Sequence, residues 1–224
     1  MMLTFILLIV FVNYSYGLSI PRNPIVVIKT AYLTSLNSNP LFTNIATASV
    51  LAVFSDSISQ NIEIKAKNSA ISDADKKNYE SPKFSLYRSF CMSIYGAGVL
   101  GWFVSIWFEF LNSIIPRENI NLSKALVKIG INQALMSPIL NSFFFGYVIF
   151  TRDFIHTVPE KISLFKKKIQ KDLIPTIMRS TVYWTIAHLY NFLILNPKYQ
   201  LLYTNSAFVM WTIYLSIVGY RIVK

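Results

Sequence analysis

The stretch that decides the fold runs from Ser180 to Tyr220 and reads STVYWTIAHLYNFLILNPKYQLLYTNSAFVMWTIYLSIVGY, with Lys198 as its single charged residue. The uncharged runs on either side of Lys198 are eighteen and twenty-two residues long. A hydrocarbon core about 30 Å thick needs about 20 helical residues to cross it. The stretch therefore predicts two membrane-length helices that meet at Asn196 and Pro197.

The polar residues of this stretch predict how its helices pack. Polar side chains are costly when they face lipid, so we expect them to face other helices or water. They are Trp184, His188, Asn191, Asn205 and Ser216. The stretch is thus typical of an integral membrane bundle.

The composition of the whole chain agrees with a membrane protein. Of its 224 residues, 54% are hydrophobic and only 14% are charged, whereas about 25% of the residues of soluble domains are charged. This length accommodates four or five spanning helices in one bundle. We therefore predict an all-α fold, a polytopic membrane helix bundle of four to five spanning helices with short interfacial amphipathic helices.

The net charge of +11 indicates anionic lipid rather than nucleic acid as the partner. Most Lys and Arg residues fall between the uncharged stretches, where they would meet lipid headgroups. A single cysteine, Cys91, excludes an internal disulfide and a multi-cysteine metal site. His156 and His188 are too few for a histidine-rich metal centre. We therefore predict no metal and no cofactor.

The first forty residues carry two separate signals. Residues 1–17 contain a ten-residue apolar run followed by small residues at the spacing of a signal-peptidase site. The pattern predicts either a signal peptide or an extra hydrophobic segment. Residues 18–40 predict an interfacial amphipathic helix, with Pro24 in its first turn and Pro40 at its end.

Residues 41–224 form the predicted membrane bundle. The predicted spanning helices cover residues 41–62, 84–115, 121–151, 173–195 and 199–220, and charged loops are predicted at 63–83 and 152–172. In the first helix, small and polar residues share one side, which we expect to face the bundle. The two basic loops and the C-terminus share one side of the membrane, so the positive-inside tendency places them on the cytosol-like or matrix-like side.

Gly96, Gly98 and Gly101 form a Gly-x-Gly-x-x-Gly string inside the predicted helix at 84–115. Such a string binds dinucleotides only where a strand precedes it and a βαβ unit surrounds it. Neither pattern occurs here. Close packing against another helix is the interpretation that the string favours.

Four blocks of polar, aromatic and small residues occur in order between Tyr32 and Ser216. They are Tyr32, Leu36, Pro40, Thr43, Ser55, Asp56 and Gln60; Arg88, Gly96, Gly98, Gly101, Trp107, Phe108 and Leu111; Lys128, Asn132, Gln133 and Pro138; and Trp184, Asn191, Phe192, Tyr199, Trp211, Tyr214, Leu215 and Ser216. Their order and spacing resemble the Mpv17/PMP22 family of small integral proteins of mitochondrial inner and peroxisomal membranes. The chain departs from that family at Trp102 and Thr185, where the family has proline, and at Asn132 and Gln200, where it has Asp and Arg.

The resemblance implies a pore or permeability protein for small solutes. Six polar residues within or beside the membrane helices would either line a solute path or bond helices together, and both roles are kept. They are Asp56, Gln60, Arg88, Lys128, Asn132 and Gln133. The family motif also implies packing roles for Pro40, Gly96, Gly98, Gly101, Trp107, Pro138, Trp184, Asn191, Phe192, Trp211 and Ser216.

The leading hypothesis is a water-filled passage for small solutes. The polar side of 41–62, Lys128 and the Asn132–Gln133 pair would line it, and Asp56 with a cation would set its local field. The alternative is a non-conducting structural membrane protein that scaffolds or stabilises complexes, with Trp107, Trp184 and Trp211 as interface anchors. No nucleophile motif is present, so no enzymatic activity is predicted.

Location and assembly follow from the same resemblance. We expect the mitochondrial inner membrane, with the peroxisomal membrane or a membrane derived from the secretory pathway as alternatives. The expected partners are small solutes, anionic lipid at the basic loops and further copies of the chain as a homo-oligomer.

Overall fold

The computed structural model describes residues 24–70, 80–116, 120–152, 156–195 and 197–221. Within these ranges the chain forms six helices and no strand, which confirms the predicted all-α fold. The helices are α1 Pro24–Ser38, α2 Pro40–Ser69, α3 Leu86–Ile114, α4 Leu122–Arg152, α5 over residues 158–193 and α6 Pro197–Tyr220. The predictions for residues 1–17 and 18–23 lie outside the described residues.

Three of these helices, α2, α3 and α4, are long and apolar enough to cross a membrane. The apolar stretch Ser206–Tyr220 of α6 is shorter. The helical membrane architecture is therefore confirmed, and the chain is an integral membrane protein. The number of four to five crossings stays a prediction.

Proline marks the start of the first two helices. Pro24 begins α1 and Pro40 begins α2, positions where the missing backbone N–H has no helical partner to lose. The prediction that Pro40 ends the preceding helix is confirmed, because α1 stops at Ser38. A hydrogen bond of 2.8 Å between the hydroxyls of Ser35 and Thr43 spans the joint.

The predicted charged loop at 63–83 is wrong for its first part. Helix α2 continues to Ser69, so Glu63, Lys65 and Lys67 are helical. Glu, Lys and Ala favour helix as strongly as most apolar residues do, and Glu63 also bonds an arginine of α3. The charges therefore extend the helix beyond its apolar part. Residues 71–79 lie outside the described ranges.

The predicted charged loop at 152–172 is also wrong, because α5 begins at Val158. Glu160 accepts hydrogen bonds from the backbone N–H of Thr157 at 2.7 Å and from its hydroxyl at 2.9 Å, an N-terminal capping arrangement. Lys168 and Asp172, which fall within the predicted loop, are buried. The helical segments follow one another without a break, so residues 158–193 form one long helix.

Three π-helical turns interrupt these helices, at Gly96–Phe103 in α3, Asn132–Met136 in α4 and Ile169–Leu173 in α5. Two of them come just before a proline inside the helix, Pro138 and Pro175. Proline has no N–H to donate and clashes with the preceding turn, and a π turn relieves both problems by widening the helix there. The chain thereby continues through each proline without ending the helix.

Helix α2 turns its small and polar side toward the bundle, as predicted. Thr43, Ala52, Ser55, Asp56, Ser59 and Gln60 are buried. Val50 and Phe54, on the opposite side, are exposed. The apolar core lies instead among the other helices, where Tyr95, Phe144, Phe145, Trp184 and Trp211 pack together.

Two of the three glycines in the string allow α2 and α3 to touch. A Cβ added at Gly96 would lie 2.6 Å from the Ala48 carbonyl oxygen, and one at Gly101 would lie 2.5 Å from the Ile45 Cα. A Cβ at Gly98 would meet nothing within 4 Å. The close-packing prediction is therefore confirmed for Gly96 and Gly101 and wrong for Gly98.

Candidate functional site

Asp56 lies at the centre of a buried hydrogen-bond network. Its Oδ1 accepts hydrogen bonds from Arg88 Nε and Ser216 Oγ, both at 2.8 Å. Its Oδ2 accepts from Gln60 Nε2 at 2.8 Å and from Ser89 Oγ at 3.0 Å. Four donors fill the capacity of a carboxylate, so this fully buried charge is completely compensated.

Arg88 joins this carboxylate to a second one. Its two terminal nitrogens each donate to an oxygen of Glu63 at 2.8 Å, a bidentate pair. One of them also donates to Ser216 Oγ at 3.1 Å, and the guanidinium lies 3.7 Å from the centre of the Tyr220 ring. Arg88 thereby ties α2, α3 and α6 together.

Gln60 completes the network at the start of α3. Its amide nitrogen donates to the Ser85 carbonyl at 3.1 Å, and its oxygen accepts from the Ser85 backbone N–H at 2.7 Å. Of the six predicted polar residues, the structure thus brings together Asp56, Gln60 and Arg88. Their saturated, buried contacts favour the helix-bonding role over the pore-lining role.

A cleft of about 720 Å³ lies at the opposite end of the bundle. Its walls come from the first half of α2, the second half of α3, the end of α5 and residues 204–212 of α6, with α1 at the rim. The network uses the other halves of α2, α3 and α6. Ser55 and Thr212 line the cleft next to the network, because each lies within one turn of Asp56 or Ser216.

The cleft wall mixes apolar rings with hydrogen-bonding groups. Asn44 Nδ2 donates to Ser105 Oγ at 3.2 Å, and Asn191 Nδ2 donates to Thr204 Oγ1 at 2.9 Å. The polar residues of the wall are Asn37, Asn44, Ser55, Ser105, Glu109, Asn112, His188, Asn191, Thr204 and Thr212. The other twelve lining residues are apolar, so the cleft resembles ligand sites in which a few polar groups are set in an apolar wall.

Lys128 does not line the cleft but contacts Asn112, which does. Its side chain is buried, and its Nζ donates to Asn112 Oδ1 and, at 3.1 Å, to the carbonyl oxygen of Ile115. The ammonium lies 5.3 Å from the centre of the Phe192 ring. Lys128 therefore caps the C-terminal end of α3, where a cation interacts favourably with the exposed carbonyls.

A second, smaller cavity of about 50 Å³ lies midway along the bundle and includes Asn132 and Gln133. It adjoins the cleft, since Phe108, His188, Phe208 and Thr212 line both. Asn132 Oδ1 accepts a hydrogen bond of 2.8 Å from Trp107 Nε1. Asn132 and Gln133 therefore line a cavity that does not include Asp56.

The six predicted polar residues thus divide among three places rather than sharing one passage. Asp56, Gln60 and Arg88 form the network, Lys128 caps α3, and Asn132 and Gln133 line the inner cavity. The functional residues that the sequence analysis missed include Glu63, Ser105, Glu109, Asn112 and Thr212. The spacing of Glu63 seven residues after Asp56, on the same helical face, was a usable signal.

Comparisons with known proteins agree with the resemblance described above. The model of the Mpv17 / PMP22 family matches residues 160–216. PXMP2/4 family protein 4 of Dictyostelium discoideum is 27% identical over 84% of this chain and 91% of its own length. Protein sym-1 of Neurospora crassa is 24% identical over 83% of this chain and 95% of its length.

Another relative is the mitochondrial inner membrane protein Mpv17 of Drosophila melanogaster, 24% identical over 64% of this chain and 81% of its own length. No solved structure matches the chain. The match with the D. discoideum protein covers most of both chains, so the similarity extends well beyond the α5–α6 segment that the family model matches.

Proposed function

We propose that this chain, which belongs to the Mpv17/PMP22 family, provides a passage for small solutes across an organelle membrane, with the polar cleft as its entrance. The observation that carries this proposal is the cleft of about 720 Å³ with its amide, hydroxyl and carboxylate wall. Polar groups inside a membrane protein are costly unless they meet water, one another or a solute. A hydrated entrance accounts for the ten polar residues of the cleft wall.

The membrane that we propose is the mitochondrial inner membrane, with the peroxisomal membrane as the alternative. The name of the D. melanogaster relative describes it as a mitochondrial inner membrane protein. The basic residues Lys166, Lys167 and Lys171 of α5 would bind anionic headgroups there, since their side chains are exposed. The passage is proposed to work without a cofactor, as a single chain or as a homo-oligomer.

Solute release from liposomes tests the passage. We expect vesicles that contain the purified full-length protein to release small polar solutes faster than protein-free vesicles. Val209→Trp should slow this release, because position 209 lines the cleft. Phe54→Trp is the matched control, because Phe54 is 53% exposed on the outer side of α2. Release no faster than from protein-free vesicles would contradict the proposal.

Burial removes two of the three tryptophans that the alternative, a non-conducting scaffold, would use as anchors. Trp184 and Trp211, expected to anchor partners, are buried in the apolar core, and Trp107 bonds Asn132. The anchor prediction is therefore wrong for Trp184 and Trp211, because they pack against other rings inside the bundle. A defined partner complex on native gels together with absent solute release would restore the scaffold role.

A further inference from the structure

The inner cavity presents hydrogen-bonding groups and, among its described lining residues, no Asp, Glu, Lys or Arg. Its polar residues are Asn132, Gln133, Ser137, Asn141, Ser180 and Thr212, with His188 on the border with the cleft. Amides and hydroxyls both donate and accept hydrogen bonds. The cavity is therefore chemically distinct from the Asp56–Arg88 network, where every charge meets an opposite charge.

Most polar groups around this cavity already have protein partners. Ser137 Oγ donates to Ser180 Oγ at 2.9 Å. Asn141 Nδ2 donates to the Ser137 carbonyl at 2.7 Å. Trp107 supplies the donor for Asn132. These bonds fix the orientation of the cavity wall.

Gln133 differs from these residues. It is 8% exposed, and its Oε1 accepts no hydrogen bond from any residue that the structure describes. A buried acceptor without a donor costs about 1–3 kcal/mol, so a donor supplied by a solute would be bound favourably. The residue belongs to the π turn Asn132–Met136, and π turns inside helices occur frequently at functional sites.

The volume of the cavity limits what it can hold. One water needs about 10–15 Å³ of such volume, so about 50 Å³ accommodates about three to five waters. A solute with about that number of non-hydrogen atoms would fit. A charged solute of the same size would lose its hydration without meeting an opposite charge in the wall, which is unfavourable.

We infer that this inner cavity binds a small uncharged solute that carries N–H or O–H donors, with Gln133 Oε1 as an acceptor. The solute reaches the cavity from the cleft, past the shared residues Phe108, His188 and Phe208. This inference rests on the proposed passage and names its solute class. Urea is a suitable probe because it has four non-hydrogen atoms and four N–H donors. Guanidinium is the charged control of the same shape.

Cysteine accessibility tests whether water and urea reach the cavity. In a Cys91→Ala background, cysteine replaces Ser105 in the cleft, Ser180 in the inner cavity or Ser59, which is buried and lines neither cavity. We expect a small neutral thiol reagent to modify the Ser105→Cys and Ser180→Cys variants and to leave the Ser59→Cys variant unmodified. Urea should slow the modification of Ser180→Cys alone, and guanidinium should not.

The outcomes separate the inference from the proposed function. Reaction at Ser105→Cys without reaction at Ser180→Cys would overturn the inference and leave the cleft as an entrance. No reaction at either position would contradict both. Equal reaction at all three positions would show general solvent penetration and overturn the inference. Equal protection by urea and guanidinium would also overturn it, since the cavity would not select for charge.

A second substitution tests the acceptor itself. In the Ser180→Cys background, Gln133→Met keeps the length of the side chain and removes its oxygen. We expect the urea concentration for half protection to rise about tenfold, the size of effect typical for one hydrogen bond. Leu135→Met is the matched control, because Leu135 belongs to the same π turn and is 52% exposed. Unchanged protection in Gln133→Met would exclude Gln133 as the acceptor.

Discussion

Asp56 and Arg88 show how buried charges act in this protein. Their side chains are 0% and 11% exposed, and each meets an opposite charge and further hydrogen bonds. A saturated buried pair contributes little net stability, but removal of one partner leaves the other uncompensated. The network therefore matters less for the stability it adds than for the three helices it holds in one arrangement.

Arg88→Met should destabilise the fold strongly. It leaves Asp56 without a cation and Glu63 without its bidentate partner. We expect the free energy of unfolding to fall by about 3–5 kcal/mol, measured by denaturation in detergent and followed by circular dichroism. Lys83→Met is the control, because the Lys83–Glu80 pair is more than 80% exposed and such pairs contribute about 1 kcal/mol or less. Similar losses in both variants would contradict the assigned role.

Asp172 offers a pH-dependent test outside the proposed spanning segments. Burial raises the pKa of its carboxyl, but Lys168 and Arg221 outweigh burial and hold the pKa below the ordinary 3.8. A lowered pKa stabilises the fold at pH values above the ordinary pKa. This contribution to stability is lost as the pH falls through the folded-state pKa.

Wild type should therefore exceed Asp172→Asn in stability at neutral pH, and the difference should shrink only below about pH 3.8. Thermal unfolding of both proteins across this range measures the difference. A difference that stays constant down to pH 2 would show that the Asp172 charge is not responsible.

At the scale of elements, the contact between α2 and α3 depends on missing side chains. Gly96 and Gly101 bring the α3 backbone against Ala48, Ala52 and Ile45 of α2. Serines of the two helices bond across the same contact, with Ser49 Oγ 2.8 Å from Ser93 Oγ. In lipid the hydrophobic effect does not drive helices together. Close packing of small residues and hydrogen bonds between hydroxyls of this kind join membrane helices instead.

The three glycines should respond differently to alanine. Gly96→Ala and Gly101→Ala should each destabilise the fold by about 1–3 kcal/mol, because the added Cβ meets atoms of α2 that cannot move away easily. Gly98→Ala should be neutral or stabilising by up to about 1 kcal/mol, since alanine favours helix and the position is open. Detergent denaturation of the three variants gives the comparison. A Gly98→Ala loss equal to the others would contradict this contact.

At the scale of the whole molecule, the two ends of the bundle differ. The cleft lies where α2 and α6 begin and α3 and α5 end, and the Asp56–Arg88 network lies toward the opposite end. The inner cavity is formed by the middle parts of α3, α4 and α6 and by the second half of α5. In the proposed passage, a solute that enters the cleft would cross the inner cavity before it reaches the end where the network holds the helices.

Sided labelling tests this polarity. Asn37 at the cleft rim and Lys67 near the end of α2 are exposed at opposite ends of the bundle. In a Cys91→Ala background, an impermeant thiol reagent should label Asn37→Cys from one face of the membrane and Lys67→Cys from the other. The positive-inside tendency predicts that Lys67 is on the cytosol-like or matrix-like side. Labelling of both positions from the same face would contradict the arrangement.

Local patterns explain which parts of the fold were predictable. The inward side of α2, the break at Pro40 and the burial of Trp184, His188, Asn191 and Ser216 follow from periodicity and from the cost of polar groups in lipid. The extension of α2 to Ser69 did not follow, because charged residues are equally compatible with a solvated loop and a helix. Glu63 becomes recognisable as helical only through its bond with Arg88.

Composition, helix periodicity and the order of the family landmarks were sufficient to establish a helical membrane protein and its relatives. They could not assign Asp56 and Gln133 to different sites, since both are polar residues within apolar helices. The tertiary structure made that distinction by filling every acceptor of Asp56 and leaving Gln133 Oε1 without a donor among the described residues. Hydrogen-bond saturation depends on which helices meet, and residues far apart in the chain decide that.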